Sequence, residues 1–236
     1  MAYSILDIIG AIKRCEFTVF ENTAKSGALD VNFKDGKGLS VLHHVIVTEI
    51  DSVNKIKWIK LLTSLGADVN AKENEGLTPM FYAVMSEDTE VMKCLAGAGA
   101  DIHEPNSEGY TLIFTATAFG KTKAIKCLVS LGADVNTKAK DGYTPIFSAV
   151  MGKHEQIASI KCLVELGADV NARTDKGHTA VFMAVSGNMV ESLKCLKELG
   201  ADLNAKANDG KTPLSMGIGF GDVPEAVNWL KANGAV

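Results

Sequence analysis

Gly66-Ala67-Asp68-Val69-Asn70-Ala71-Lys72, followed by Gly76-Leu77-Thr78-Pro79, decides the fold, because the chain writes it again and again. The string returns at Gly99-Ala100-Asp101-Ile102-His103, Gly132-Ala133-Asp134-Val135-Asn136, Gly167-Ala168-Asp169-Val170-Asn171 and Gly200-Ala201-Asp202-Leu203-Asn204. Six residues past each Asn stands another Gly. From Asp68 to Asp101 and from Asp101 to Asp134 the step is 33 residues, to Asp169 it is 35, and to Asp202 again 33. A fixed period in this range means a repeat array. Units of such an array touch only their neighbours, so counting repeats replaces counting domains by length.

Each unit parses alike. Asp68 to Gly76 is polar and turn-rich and reads as a protruding hairpin. Thr78 is placed to cap a helix, with Pro79 at its first position, where a missing N–H costs nothing. Met80, Phe81, Ala83 and Val84 follow as an apolar face, and Ser86-Glu87-Asp88 breaks the run. A second helix from about Thr89 to Ala98 turns Val91, Met92, Cys94 and Leu95 inward. Gly99 ends it where a left-handed residue is favoured.

The Thr-Pro-Leu-His-like helix start, the Gly-Ala-Asp-Val-Asn entry and the 33-residue period together resemble the ankyrin repeat, over essentially the whole chain. The resemblance implies an all-α repeat solenoid of antiparallel helix pairs joined by projecting β-hairpin loops, forming one domain over residues 1–236. Its units are an N-terminal cap at 1–29, repeats at 30–67, 68–100, 101–133, 134–168 and 169–201, and a C-terminal cap at 202–236. The cap from Ser4 to Ala28 has Leu6, Ile8, Ile9, Ile12, Phe17, Val19 and Phe20 as its apolar content. Repeat 30–67 carries Ser40-Val41-Leu42-His43 at the helix start and five residues beyond 33, expected between its helices around Thr48 to Asn54. Repeat 134–168 has two extra residues, near Lys153 to Ser159. Thr111-Leu112 and Thr179-Ala180 depart from Thr-Pro.

The family's histidine at the helix start remains only as His43; Phe81, Phe114, Phe147 and Phe182 replace it. There a hydrogen bond is exchanged for ring burial, worth about 1.5–3 kcal/mol when complete, and all four rings are expected in the core. Cys94, Cys127, Cys162 and Cys195 each lie five residues before a repeat glycine. Stacked helices run about 8–10 Å apart, beyond the roughly 7 Å a disulfide spans, so this row is read as small, reduced core residues. One place earlier, Lys60, Lys93, Lys126, Lys161 and Lys194 are expected to face outward as a solvated strip.

With 24 basic against 28 acidic side chains, the net charge of −4 gives no basic field for nucleic acid. No run reaches the length of a membrane-spanning helix. MAYSILDIIGAIK lacks a basic start and places Asp7 in its apolar part, which argues against a secretory leader; the expectation is a cytoplasmic chain, with a secreted effector left open. Gly217-Ile218-Gly219-Phe220-Gly221 lacks the Lys that a phosphate loop needs. His43-His44 point about 100° apart on a helix, a poor chelate, and His154 with Glu155 lies in an irregular insertion. No catalytic, cofactor or metal site is expected, and the chain is not read as an enzyme.

Function is expected just past each hairpin glycine, where Leu39, Leu77, Tyr110, Tyr143, His178 and Lys211 stand. By the resemblance this position points into a concave groove, beside Met85, Phe119 and Met151 at the ends of the first helices. Leu77, Tyr110, Tyr143, His178, Met85, Phe119 and Met151 are therefore candidate protein-binding residues, since exposed apolar surface marks interfaces and Tyr is enriched in their hot spots. The expected partner is a protein, neither nucleic acid nor membrane, and the chain is read as a monomer. A second reading is a regulatory or targeting domain of a larger protein, enzyme-associated or a secreted effector. Leu62, six residues before Asp68, is similar to hairpins that asparaginyl hydroxylases accept in animal ankyrin repeats; on that resemblance Asn70, Asn136 and Asn171 are candidate acceptors.

Overall fold

The protein is represented by a computed structural model that describes residues 5–151 and 156–236. The expected two-residue extension of repeat 134–168, and His154 with Glu155, fall largely at 152–155, outside the described residues. The chain divides into two compact units, Met1–Ile102 and His103–Val236. Among the described residues all regular structure is helical apart from an isolated antiparallel bridge between Lys34 and Ser40.

The first unit holds α1 (Ile5–Arg14), α2 (Phe17–Lys25), α3 (Val41–Val47), α4 (Ser52–Ser64), α5 (Pro79–Ser86) and α6 (Thr89–Gly97). The first helices of successive pairs stack as α1, α3 and α5, and the second helices as α2, α4 and α6. Two residues, Glu87 and Asp88, connect α5 to α6, so the pair reverses direction. The Asp88 carboxylate accepts the Val91 N–H at 3.2 Å and caps α6. Trp58, fully buried, is the aromatic centre of this unit: Phe17 lies 4.6 Å from it and Phe20 meets it edge-on at 5.0 Å. The N-terminal helices thus close the stack with rings from α2 on a ring from α4.

The extra residues of repeat 30–67 were expected in a loop, and the structure corrects this. α4 runs for 13 residues where α6 runs for 9. Most of the added length is a further helical turn at the N-terminus of α4, because Asp51-Ser52-Val53-Asn54 is itself a helix start. The Asp51 carboxylate accepts the Asn54 N–H at 2.9 Å.

The second unit holds α7 (Leu112–Ala118), α8 (Thr122–Ser130), α9 (Pro145–Met151), α10 (Ile157–Glu165), α11 (Ala180–Ser186), α12 (Val190–Glu198), α13 (Pro213–Phe220) and α14 (Pro224–Ala232). Again α7, α9, α11 and α13 stack in order, and α8, α10, α12 and α14 do the same behind them. Phe114, Phe147 and Phe182 are buried as expected; Phe81, in the first unit, is only half-buried. Phe81 meets Tyr82 edge-on at 5.7 Å, and its hairpin carries Leu77 where Tyr110, Tyr143 and His178 stack over the other three rings.

The recurring Gly-Ala-Asp-x-Asn string has a direct physical account. Gly99 takes φ +93° after α6, a left-handed conformation that only glycine adopts without strain. Asp68 folds its carboxylate onto the N–H of Asn70 at 2.9 Å, closing a local turn. Asn70 then reaches to the far end of its repeat, donating its amide to the Gly99 carbonyl at 3.0 Å and accepting the N–H of Asp101, the first residue of the next repeat, at 2.8 Å. Asn136 holds Gly167 at 3.0 Å and Asp169 at 2.9 Å, and Asn171 holds Gly200 at 3.2 Å and Asp202 at 2.8 Å. One side chain therefore satisfies a donor and an acceptor left over at the next helix end.

Neighbouring hairpin tips are joined by backbone bonds, with side chains adding to them: Asn74 Nδ2 donates to Gly36 O at 3.3 Å, Arg173 to Lys206 O at 2.6 Å and Asn208 Nδ2 to Asp175 O at 2.8 Å. The Asn74 N–H donates to Lys37 O at 3.1 Å in the first unit. In the second, Lys140 N–H donates to Glu108 O at 3.1 Å, Asp175 N–H to Asp141 O at 2.8 Å and Asn208 N–H to Lys176 O at 3.0 Å. At Gly142, φ is +77° and an added Cβ would sit 2.9 Å from the Asp175 nitrogen, so this seam needs glycine on two counts.

Candidate protein-binding face

The expected site residues occupy the side formed by hairpin loops and first helices. The hairpins that carry a polar residue near their start are closed by its side chain, while those with Ala139 and Ala207 there are closed by the backbone bonds Ala139 N–H to Tyr143 O at 2.8 Å and Ala207 N–H to Lys211 O at 2.9 Å. The Glu73 carboxylate accepts the N–H groups of Glu75 and Leu77, both at 2.9 Å, and the Asn106 side-chain carbonyl does the same for Glu108 and Tyr110, both at 3.0 Å. The Thr174 hydroxyl accepts the His178 N–H at 3.1 Å. The residue after the hairpin glycine is thereby fixed over its own first helix.

In the second unit this produces three stacked pairs. Tyr110 lies over Phe114 at 5.0 Å and 63°, Tyr143 over Phe147 at 5.2 Å and 66°, and His178 over Phe182 at 4.8 Å and 18°. The first two are edge-on arrangements that aromatic quadrupoles favour. Tyr143 is half-buried, and its hydroxyl points to the Met183 sulfur at 3.9 Å. Burial, then the neighbouring Tyr110 and Asp141, raise the pKa of Tyr143. Burial lowers the pKa of His178; Asp209 opposes that, and Lys176 and Lys211 reinforce it.

Tyr110 is 37% exposed, and Phe119 and Met151, at the ends of α7 and α9, are 59% and 54% exposed. Phe220, at the equivalent end of α13, is 51% exposed. Leu77 and Met85, in the first unit, are both half-buried. Met183 and Tyr82 were not singled out from sequence, although they share the fourth position after the helix-start Thr. Variation there, as His44, Tyr82, Thr115, Ser148, Met183 and Met216, is the signal that marks it.

The Asn candidates for modification, Asn70, Asn136 and Asn171, are half-buried and hold the repeat-to-repeat clamps described above. His43 serves structure: its Nδ1 sits 2.8 Å from the Ser40 hydroxyl and its Nε2 3.1 Å from the Leu77 carbonyl, while His44 pairs with Asp35 at 3.1 Å. The cysteine row holds thiols, with Cys127, Cys162 and Cys195 buried and Cys94 half-buried. The lysine row is exposed throughout. Among the described residues no His, Cys, Asp and Glu group has the arrangement of a metal site, and no helix is long and apolar enough to cross a membrane.

Helix pairs that stack through equivalent surfaces and are stitched by one repeated Asn define a helical-repeat protein. The chain belongs to the ankyrin repeat family, whose model for ankyrin repeats (3 copies) matches residues 10–106, 87–174 and 153–236. Members of this family are in general non-catalytic protein-interaction domains. The chain is 40% identical over 68 residues, 28% of its length, to the I-Kappa-B like protein G2 of Microplitis demolitor bracovirus (isolate Webb). That match takes in only 38% of the bracoviral protein. It is also 31% identical over 67 residues to an ankyrin repeat protein of Rickettsia conorii, covering 91% of that relative. Among solved structures it shares the fold of the ankyrin repeat domain of Bcl-3, described as a unique member of the IkappaB protein family. The TM-score is 0.75 at 21% identity, over 95% of this chain and 97% of that one.

Proposed function

We propose that the chain binds a partner protein through the hairpin and first-helix face of its second unit, with Tyr110, Phe119, Tyr143 and Met151 as contacts and His178 at their edge. One observation carries the reading: large apolar side chains stay exposed at Tyr110, Phe119 and Met151 although each belongs to a well-packed repeat. Exposed apolar surface of this kind marks an interface. Tyrosine brings a large contact area at low entropic cost, and Met adapts its shape to what it meets. The first unit offers Leu77 and Met85 at equivalent places, more covered, as secondary contacts.

The test places a photo-crosslinking amino acid at Phe119 and, separately, at Lys126 on the opposite helices, in extract of the source organism. The reading expects a defined protein adduct from position 119 and none from 126. It also expects Tyr110→Glu with Met151→Glu to remove the adduct while the melting temperature holds. Equal adducts from both positions would reject it.

A further inference from the structure

The net charge of the chain is confined to its first unit. Residues 1–102 carry ten Lys and Arg against fourteen Asp and Glu, whereas residues 103–236 carry fourteen of each. Within the first unit, one aromatic ring lies where carboxylates meet an apolar face. Tyr82, on α5, is half-buried; His43 meets it edge-on at 5.6 Å and Phe81 at 5.7 Å. The His43 ring also bonds the Leu77 carbonyl at 3.1 Å, and that carbonyl accepts the Glu73 N–H at 3.0 Å, so the hairpin bearing Glu73 and Glu75 is held beside the ring. Both carboxylates act on the Tyr82 hydroxyl, whose pKa is raised first by burial and then by Glu73 and Glu75. Glu75 is exposed, and Leu77, Phe81 and Met85 are half-buried. Of the nearby cations, Lys34 is tied to the Lys72 carbonyl at 2.9 Å.

We infer that Tyr82, Glu73 and Glu75 form a receptor for an arginine or lysine side chain of a partner protein, with Leu77, Phe81 and Met85 taking an apolar residue next to it in the partner. The tyrosine face attracts a cation, and the two carboxylates pair with a guanidinium or ammonium arriving beside it. Charge complementarity thus selects a basic-apolar segment over an acidic one. This inference rests on first-unit residues, of which Leu77 and Met85 are secondary contacts in the proposed function, and it is tested separately from the second-unit contacts.

The probe is a short fluorescein-labelled peptide alternating Arg, Leu and Ser, compared with a twin in which citrulline replaces each Arg, by anisotropy against the full chain at physiological salt. The Arg peptide is expected to bind at least about tenfold tighter than the citrulline twin, a difference within reach of one ion pair plus one cation–π contact. Tyr82→Leu, which keeps every charge, is expected to weaken the Arg peptide several-fold, and Glu75→Gln to do likewise. Tyr110→Glu with Met151→Glu is expected to leave it unchanged, which separates this inference from the second-unit reading. Equal binding of the two peptides, or an unchanged affinity in Glu75→Gln, overturns the proposal. Trp58 fluorescence reports whether Tyr82→Leu stays folded; if it does not, Glu75→Gln alone decides.

Discussion

The N–H of Phe182 donates to the carbonyl of Thr179 at 3.0 Å, and the Thr179 hydroxyl is left buried without a hydrogen-bond partner. The same tight first turn joins Phe81 to Thr78, Phe114 to Thr111 and Phe147 to Thr144, at 3.0, 3.1 and 3.0 Å. It consumes the amide that a capping hydroxyl would otherwise hold. Where a polar residue occupies the Phe place, as Ser215 does, its N–H instead reaches the Thr212 hydroxyl at 3.2 Å. Replacing histidine by phenylalanine therefore costs the cap as well as the imidazole bonds. Thr179→Val removes the orphaned hydroxyl at nearly constant shape, and the extended backbone there suits a β-branched residue. We expect a gain of about 1 kcal/mol in urea unfolding, the scale of an unmet buried hydroxyl; a loss would show that the hydroxyl has a partner in solution.

The asparagine clamp gives a second expectation. Asn136→Ala removes both bonds at one repeat junction and leaves the Gly167 carbonyl and Asp169 N–H to water. A loss of about 1–3 kcal/mol follows from two such bonds. Chemical denaturation checks it, and an unchanged midpoint would mean that the clamp is redundant.

Buried His43 makes the first unit sensitive to acid. Burial lowers its folded-state pKa, with the Leu77 carbonyl and Glu73 opposing. Above the ordinary histidine value of about 6.5 both folded and unfolded states are neutral. As pH falls below that value the unfolded chain takes up a proton that the folded chain refuses, and stability is lost until the lowered folded value is passed. Unfolding followed through Trp58 in a Trp229→Phe background should weaken between pH 7.5 and 5.5. His43→Phe, which installs the residue that four other repeats carry at this place, should flatten that dependence, and a dependence that persists unchanged in His43→Phe would assign it to another group.

Thiol chemistry separates the cysteine row. Burial raises the pKa of Cys94, Cys162 and Cys195, so thiolate is scarce at neutral pH. Under native conditions iodoacetamide should reach half-buried Cys15 and Cys94 and spare Cys127, Cys162 and Cys195. Mass spectrometry before and after adding urea reads this directly; early labelling of Cys162 would mean that α10 opens readily.

The repeat, its helix pairing and the buried Cys and Phe positions were legible because the period places equivalent residues in equivalent surroundings. What escaped depends on a neighbour's side chain. Phe81 holds the same repeat position as Phe147, but Leu77 stands where Tyr143 stacks on Phe147, and Phe81 meets Tyr82 instead. The extra turn of α4 escaped because a length excess does not say which element absorbs it; Asp51 and its capping bond did. Tyr110 and Phe119 were marked by their place in the repeat, whereas Tyr82 becomes a candidate only once His43 and the Glu73 hairpin are seen to meet around it.

The main-chain part of the hairpin seam has an evolutionary consequence. Because Asp175 N–H and Asp141 O join whatever their side chains are, a substitution there changes what the surface recognises and keeps that bond between modules, whereas at Asn74, Arg173 or Asn208 it would also remove a side-chain bond to the neighbouring hairpin. Such a molecule can be retargeted one position at a time at tips whose side chains do not bridge to the next hairpin, so long as the glycines that let the tips approach are kept.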